Sequence, residues 1–299
     1  MLKGWWWCAI GLVVGLVSGC AALPATSGLR LVASMYPLAF LLTTIAGSDA
    51  EVTTLVPAGT EPHDYEPTPT QVASLSTAAL VVYQAGVSAA VDQAVGESGA
   101  SSIDTGTLIQ ELALNGTTGD PSEDAYGKDP HTWLSPANMA VFADSIADAL
   151  ATTDPADAAD FRANAANLKA QLADLDAAYQ AGLTGCQRTT FMTTHAAFGY
   201  LAKEFGLTQL AIAGVTPEDE PSPRRLAELA TQATQLGLTT IFFETLVSPD
   251  YATTLADDLG LRTDVLDPIE AITAASRGTD YLQIMRSNLT ALRTANGCP

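Results

Sequence analysis

The sequence predicts an α/β fold in which two βα lobes, each built on a parallel sheet, are joined by one long rigid backbone helix. Two observations carry this prediction. Short apolar runs alternate with helical stretches in both halves of the chain, which is typical of parallel sheets covered by helices on both faces. A single uninterrupted helical pattern separates the two halves. The 299 residues give ample length for a packed core.

The first half supplies three predicted strands, at 29–34, 51–56 and 79–84. Helical stretches follow each of them, including one from about Thr70. A polar stretch at 115–129 has turn residues and no apolar period, so we predict a loop there. Ser135 and Pro136 then give an N-cap followed by proline at the first helical position, which predicts a helix to about Leu150.

The linking helix is predicted over 154–183, with Asp154 as N-cap and Pro155 in the first turn. Its apolar residues are spaced 4, 3, 4, 3 and 4 apart, which places them on one face: Phe161, Ala165, Leu168, Leu172, Leu175 and Tyr179. About 28 residues at 1.5 Å rise give roughly 40 Å. Such a helix is long enough to run along both lobes.

The second half repeats the alternation of strands and helices. Its predicted strands are 189–194, 208–213, 239–244 and 263–267. Ser222-Pro223 and Ser248-Pro249 repeat the pattern of a capping residue followed by proline, which predicts two helix starts.

The amino terminus has the pattern of an export signal. Lys3 precedes an apolar run from Trp5 to Val17, which is too short for a comfortable membrane span. The segment 16-LVSGC-20 resembles a bacterial lipobox, in which Cys20 is lipid-modified; the alternative is an ordinary signal peptide with a chance cysteine. We therefore expect an extracytoplasmic protein that is lipid-anchored to the cell membrane.

These patterns divide the chain into five parts. They are a signal peptide (1–19), a lipidated tether (20–28), an N-terminal lobe (29–153), the linking helix (154–183) and a C-terminal lobe (184–299).

Two cysteines, Cys186 and Cys298, remain after Cys8 leaves with the signal peptide and Cys20 takes the lipid. An even pair in an oxidising compartment predicts a disulfide that holds the carboxyl terminus. Metal binding by this pair is disfavoured because the two cysteines lack the close spacing of metal ligands.

The net charge is −20, from 33 acidic and 13 basic residues. This balance disfavours nucleic acid as a partner, because a nucleic-acid binder needs a basic face. The acidity agrees with a cationic ligand and equally with simple solubility.

The chain has only three histidines, and all three lie in loops or at strand ends. His63 lies in the proline-rich loop 59-GTEPHDYEPTP-69, His131 in 129-DPHTWLSP-136, and His195 directly after a predicted strand; Asp267 ends another. Ligand sites of α/β sheets lie at the carboxyl ends of the strands, so a cleft between the lobes would collect these four side chains. Three imidazoles and a carboxylate suit a borderline-soft divalent metal ion. The alternative is that each histidine is structural.

Six stretches carry a resemblance to a known family over nearly the whole chain. They are 57-PAGTEPHDYEPTPTQVASL-75, 129-DPHTWLSP-136, 194-THAAFGYLAKEFGL-207, 216-TPEDEPSPRRLAEL-229, 242-FFETLVSP-249 and 266-LDPIE-270. The chain resembles the metal-binding solute-binding lipoproteins of bacterial ABC importers, of the zinc and manganese types. The resemblance implies an ion held between two lobes and delivered to an ABC permease. It places the ligands on His63, His131, His195 and Asp267.

The resemblance also bears on the identity of the ion. Manganese-type members have glutamate at the third ligand, where this sequence has His195. Imidazole suits Zn²⁺ better than Mn²⁺, so we expect Zn²⁺ as the transported ion, with Mn²⁺ as the alternative. Many zinc-type members carry a histidine-rich loop before the second ligand, whereas 115–129 has no histidine.

Three carboxylates are candidates for contacts behind the ligands. Glu61 and Asp129 each precede a proline and a histidine and are expected to orient the imidazoles. Glu244 ends a predicted strand at the same rim. Glu244 could accept a hydrogen bond from a ligand or bind the ion itself through an oxygen. The alternative is a structural role, as a helix cap or in an ion pair with Arg224 or Arg225.

Other classes of protein remain as alternatives to a metal carrier. A zinc hydrolase would use three histidines with an open position, but the sequence contains no HExxH pair and no nucleophile elbow. We therefore expect that the protein is not an enzyme. An adhesin, or a binder of a metal chelate, would use the same lobes.

Overall fold

The computed structural model of the chain describes residues 1–2, 28–113, 127–217 and 219–299. Residues 3–19 of the predicted signal peptide, the lipidation site Cys20 and most of the predicted loop 115–129 lie outside the described residues. Within the described ranges, no helix combines the length and the apolar character needed to cross a membrane.

The N-terminal lobe is built on a four-stranded parallel sheet with the order β2-β1-β3-β4. Its strands are β1 (Leu29–Ala33), β2 (Ala50–Thr54), β3 (Leu80–Tyr83) and β4 (Ser102–Asp104). Its helices are α1 (Tyr36–Ala46), α2 (Pro69–Leu75), α3 (Ala89–Ser98) and α4 (Pro136–Thr153). As predicted, Ser135 caps α4, and its hydroxyl accepts a hydrogen bond from the Asn138 amide at 3.0 Å. The edge strand β4 was not predicted, because its three residues contain only one apolar side chain.

The linking helix α5 (Ala158–Gly182) has 25 residues, or about 37 Å at 1.5 Å per residue. All six residues of its predicted apolar stripe are buried. The helix begins at Ala158 rather than at Asp154, because α4 continues to Thr153 and a turn follows. In that turn the Asp154 carboxylate accepts a hydrogen bond from the Ala156 amide at 3.1 Å, so this side chain caps a turn instead of a helix.

The C-terminal lobe repeats the plan of the first, with a parallel sheet in the order β6-β5-β7-β8. Its strands are β5 (Thr190–Thr193), β6 (Thr208–Ala211), β7 (Thr240–Phe243) and β8 (Arg262–Val265). Its helices are α6 (Gly199–Glu204), α7 (Pro223–Gln235), α8 (Asp250–Leu259) and α9 (Tyr281–Asn296). The two parallel sheets confirm the predicted fold class.

One apolar core is continuous through both lobes and α5. It contains Leu31 from β1, Tyr179 from α5 and Phe191 from β5. The predicted disulfide between Cys186 and Cys298 is present and joins the end of α5 to the carboxyl terminus after α9. This shared core favours small adjustments between the lobes over a wide hinge opening.

Candidate metal centre

His63 is presented by the loop between β2 and α2. Its backbone amide donates a hydrogen bond to Glu61 Oε2 at 2.8 Å, and the Asp64 amide donates to the same oxygen at 3.3 Å. The Glu61 carboxylate therefore folds the loop backbone around His63. Its other oxygen, Oε1, lies 4.0 Å from His63 Nε2.

His131 is fixed by the carboxylate two residues before it. Asp129 Oδ1 accepts a hydrogen bond from the His131 backbone amide at 2.9 Å and lies 2.9 Å from the ring Nδ1. A carboxylate at this distance holds the proton on Nδ1, which leaves the lone pair of Nε2 free to bind a metal ion.

His195 lies two residues beyond β5, and Glu244 lies one residue beyond the neighbouring strand β7. Glu244 Oε1 is 2.7 Å from His195 Nδ1 and also accepts a hydrogen bond from Thr194 Oγ1 at 2.6 Å. Of the two arginines considered as partners for Glu244, Arg224 faces Glu228, and Arg225 donates to the Ala211 carbonyl. The contact with His195 gives Glu244 the same orienting geometry that Asp129 has toward His131.

The three imidazoles converge on one carboxylate, that of Glu270. Its Oε1 lies 3.4 Å from His63 Nε2, 3.4 Å from His131 Nε2 and 3.6 Å from His195 Nε2. The ligand atoms of these four residues all lie within 4.8 Å of one another. All four side chains are buried, and among the described residues the Glu270 oxygens have no hydrogen-bond partner of good geometry. A buried carboxylate needs positive charge beside it, which protonated imidazoles or a bound metal ion can supply at this position.

Asp267, the carboxylate predicted as the fourth ligand, is not part of this group. Its Oδ1 accepts a hydrogen bond from the Ile269 amide at 2.8 Å, and Thr245 Oγ1 lies 3.5 Å from its Oδ2. The structure therefore brings Glu270, and not Asp267, to the three histidines. Both acids stand in the stretch 266-LDPIE-270, and the sequence does not indicate which of the two lies beside the histidines.

The electrostatics of the cluster follow from burial and from these contacts. Burial raises the pKa of Glu270, but its contacts with the three imidazoles outweigh burial and hold the pKa well below its usual value. Burial lowers the pKa of His63, and this effect prevails. Burial also lowers the pKa values of His131 and His195, yet the neighbouring carboxylates outweigh it and raise both. These contacts favour the charged form of Glu270, and protons on His131 and His195 would compete with a metal ion for the same nitrogens.

The spacing of the ligand atoms fits a tetrahedral ion. Bonds of about 2.0–2.1 Å from zinc to nitrogen and oxygen imply about 3.3–3.4 Å between ligand atoms of a tetrahedron. The three distances to Glu270 Oε1 are 3.4, 3.4 and 3.6 Å, and His131 Nε2 lies 3.3 Å from His195 Nε2. These four distances match a tetrahedral ion, and the two remaining distances, from His63 to the other histidines, are within 4.8 Å; three nitrogens and one oxygen suit a borderline-soft divalent ion.

Comparisons with known proteins identify the family of the chain. Residues 31–295 match the model of the ZnuA family, described as zinc-uptake complex component A, periplasmic. The zinc-binding lipoprotein AdcA of Streptococcus pneumoniae is 35% identical over 280 residues, which cover 90% of this chain and 56% of AdcA. The high-affinity zinc uptake system protein ZnuA of Bacillus subtilis is 33% identical over 276 residues, with 89% of this chain and 86% of that protein covered.

A solved structure shows the same architecture. The Zn(II)-bound ZnuA-like domain of Streptococcus pneumoniae AdcA superimposes with a TM-score of 0.75 at 35% identity, covering 90% of this chain and 98% of that domain. The chain spans about half (56%) of the length of the AdcA relatives that it matches. On the match over residues 31–295, the chain belongs to the ZnuA family of zinc-uptake complex components.

Proposed function

We propose that this protein captures a zinc ion outside the cytoplasm and delivers it to an ABC permease. The ligands in this proposal are His63, His131, His195 and Glu270. The observation that carries it is the convergence of three imidazole Nε2 atoms on one buried carboxylate oxygen at 3.4–3.6 Å. Placement of the protein at the membrane through a lipid on Cys20 is part of the same proposal, and the lipoprotein name of AdcA supports it.

Zinc is favoured over manganese because three of the four ligand atoms are imidazole nitrogens. Mn²⁺ prefers oxygen ligands, whereas imidazole suits Zn²⁺. The names of the relatives, a zinc-binding lipoprotein and a zinc uptake protein, point the same way.

Carriage is favoured over hydrolysis because the protein itself supplies four ligand atoms. A catalytic zinc site keeps a position for water, and a tetrahedral site with four protein ligands does not. Absence of turnover of a test ester by the zinc-loaded protein is the expected result.

The experiment that tests the ligand set compares two acids three residues apart. Zinc affinity is measured by chelator competition in the wild type, in Glu270→Gln and in Asp267→Asn. Glu270→Gln is expected to weaken zinc binding by more than about 100-fold. It removes the charge of a side chain that binds the ion itself, whereas losing a residue that only contacts a ligand costs about 10–100-fold. Asp267→Asn retains an oxygen that accepts from the Ile269 amide and is expected to cost less than about tenfold. A larger loss in Asp267→Asn than in Glu270→Gln would restore Asp267 as the ligand.

A further inference from the structure

The residue before Glu270 has an unusual backbone conformation. Ile269 has φ of 61° and is, among the described residues, the only one other than glycine with positive φ. It is fully buried. A β-branched residue pays a steric penalty in this region and stays there only when its surroundings hold it. The direction of the Glu270 side chain therefore depends on the contacts that keep Ile269 at positive φ.

Two of the contacts that hold this segment come from its own lobe. Asp267 Oδ1 accepts a hydrogen bond from the Ile269 amide at 2.8 Å. Asn288 of α9 holds both sides of the Asp267 backbone, accepting from its amide at 3.0 Å and donating to its carbonyl at 2.7 Å. Asp267 and Asn288 are both buried, so these hydrogen bonds within the C-terminal lobe are shielded from water.

The third contact crosses between the lobes. Trp133 lies two residues after His131 in the N-terminal lobe, and its Nε1 donates a hydrogen bond to the Pro268 carbonyl at 2.7 Å. Trp133 is fully buried, and its ring centroid lies 5.3 Å from that of His131. One side chain of the N-terminal lobe therefore contacts both a histidine ligand and the segment that carries the carboxylate ligand.

We propose that Trp133 and Asp267 are positioning residues that together latch Glu270 into the metal site. The latch is the pair of hydrogen bonds from Trp133 Nε1 to the Pro268 carbonyl and from the Ile269 amide to Asp267 Oδ1. When the lobes are together, the latch holds Ile269 at positive φ and aims Glu270 at the three imidazoles. When the lobe interface loosens, the Trp133 bond breaks, Ile269 relaxes to negative φ, and the carboxylate leaves the ion.

This inference rests on the proposed function, and it adds to it a route for release. An ion held by four buried ligands needs a way out, and loss of one ligand opens the tetrahedron. Because the Trp133 hydrogen bond joins the two lobes, Glu270 would leave the ion when the lobes move apart. A small movement at the lobe interface would thus be amplified into the departure of one ligand.

The test is a double-mutant cycle on the rate of zinc dissociation. The variants are Trp133→Phe, which keeps most of the ring and removes the donor, and Asp267→Ala, which removes the acceptor for the Ile269 amide. Each is made in the wild type and in Glu270→Gln, and zinc release into excess chelator is followed by stopped flow. Each is expected to raise the dissociation rate at least about tenfold in the wild type and less than about twofold in Glu270→Gln, because the two hydrogen bonds that are removed act through Glu270.

A matched control reports the effect of losing a buried hydrogen bond elsewhere. Tyr179→Phe removes a hydroxyl that donates to the Met285 carbonyl at 2.7 Å, a buried hydrogen bond between α5 and α9 that includes none of residues 267–270, and it is expected to leave the dissociation rate unchanged. Equal acceleration in the two backgrounds, or none in either, would overturn the latch. Should Trp133→Phe fold poorly, Asp267→Ala carries the test alone. A wild type that retains no zinc would instead refute the proposed function.

Discussion

Gly199, the first residue of α6, lies against the carboxylate of Asp129 across the lobe interface. A β-carbon at residue 199 would overlap Asp129 Oδ2, while Asp129 Oδ1 holds both the amide and the ring of His131. The absence of a side chain at Gly199 therefore lets α6 pack against the carboxylate that orients His131.

Gly199→Ala is expected to weaken zinc binding by about tenfold, which is typical when a residue that orients a metal ligand is displaced. The added methyl group pushes Asp129, and His131 with it, away from the ligand geometry. Chelator competition measures the affinity. Gly96→Ala is the matched control, because Gly96 lies in α3 and a β-carbon there meets no atom within 4 Å. Equal zinc affinities in the two variants would contradict this role of the close approach.

Glu244→Gln tests the carboxylate behind His195. Replacing the charge at 2.7 Å from His195 Nδ1 makes the imidazole a weaker ligand, and we expect zinc affinity to fall by about 10–100-fold. Glu228→Gln, in the exposed Arg224–Glu228 pair of α7, is the control and should leave the affinity unchanged. Isothermal titration in the presence of a competing chelator measures the zinc affinity of each variant. An unaltered affinity in Glu244→Gln would show that this contact does not tune the ligand.

The affinity for zinc should fall as the pH falls. Burial lowers the pKa values of His131 and His195, but Asp129, Glu244 and Glu270 more than offset burial and raise them. Zinc binds only the unprotonated Nε2, so protons compete with zinc at a higher pH than for an ordinary histidine. Each proton that zinc displaces changes the affinity by about tenfold per pH unit below the pKa. Competition titrations between about pH 8 and about pH 6 test this, and a constant affinity would contradict it.

The disulfide should contribute to stability. Cys186 and Cys298 are 112 residues apart in sequence, and closing a loop of this length stabilises the folded state by about 5 kcal/mol in the chain-entropy model. Replacing both cysteines with serine should lower the free energy of unfolding in urea by roughly that amount. A protein that unfolds at the same urea concentration without the bond would show that it contributes nothing.

The linking helix and every strand except the edge strand β4 were predictable, because burial imposes patterns that are visible in the sequence. The inner strands β1, β3, β5 and β7 contain short apolar runs, and the stripe from Phe161 to Tyr179 has the period of a helix that faces a core. The histidines were also identifiable, since only three are present and all lie in loops or at strand ends. These features follow from local sequence.

The position of Glu270 beside the three histidines, which makes it our proposed fourth ligand, was not predictable, because it depends on one backbone conformation. In 266-LDPIE-270, an extended or helical Ile269 would direct the Glu270 side chain away from the histidines. Positive φ is rare for a β-branched residue, so the sequence does not suggest it. Trp133 and Asn288, which contact this segment, are distant in sequence. Local pattern cannot reveal a conformation that is imposed by such contacts.

The most direct test of the account is a competition between two ions. The soluble form that lacks Cys20 is stripped with chelator, dialysed against equal free zinc and manganese, and analysed for both elements. The account predicts about one zinc and almost no manganese per chain, and Glu270→Gln should retain less zinc under the same conditions. Mostly manganese in the wild type, or no retained ion, would contradict it.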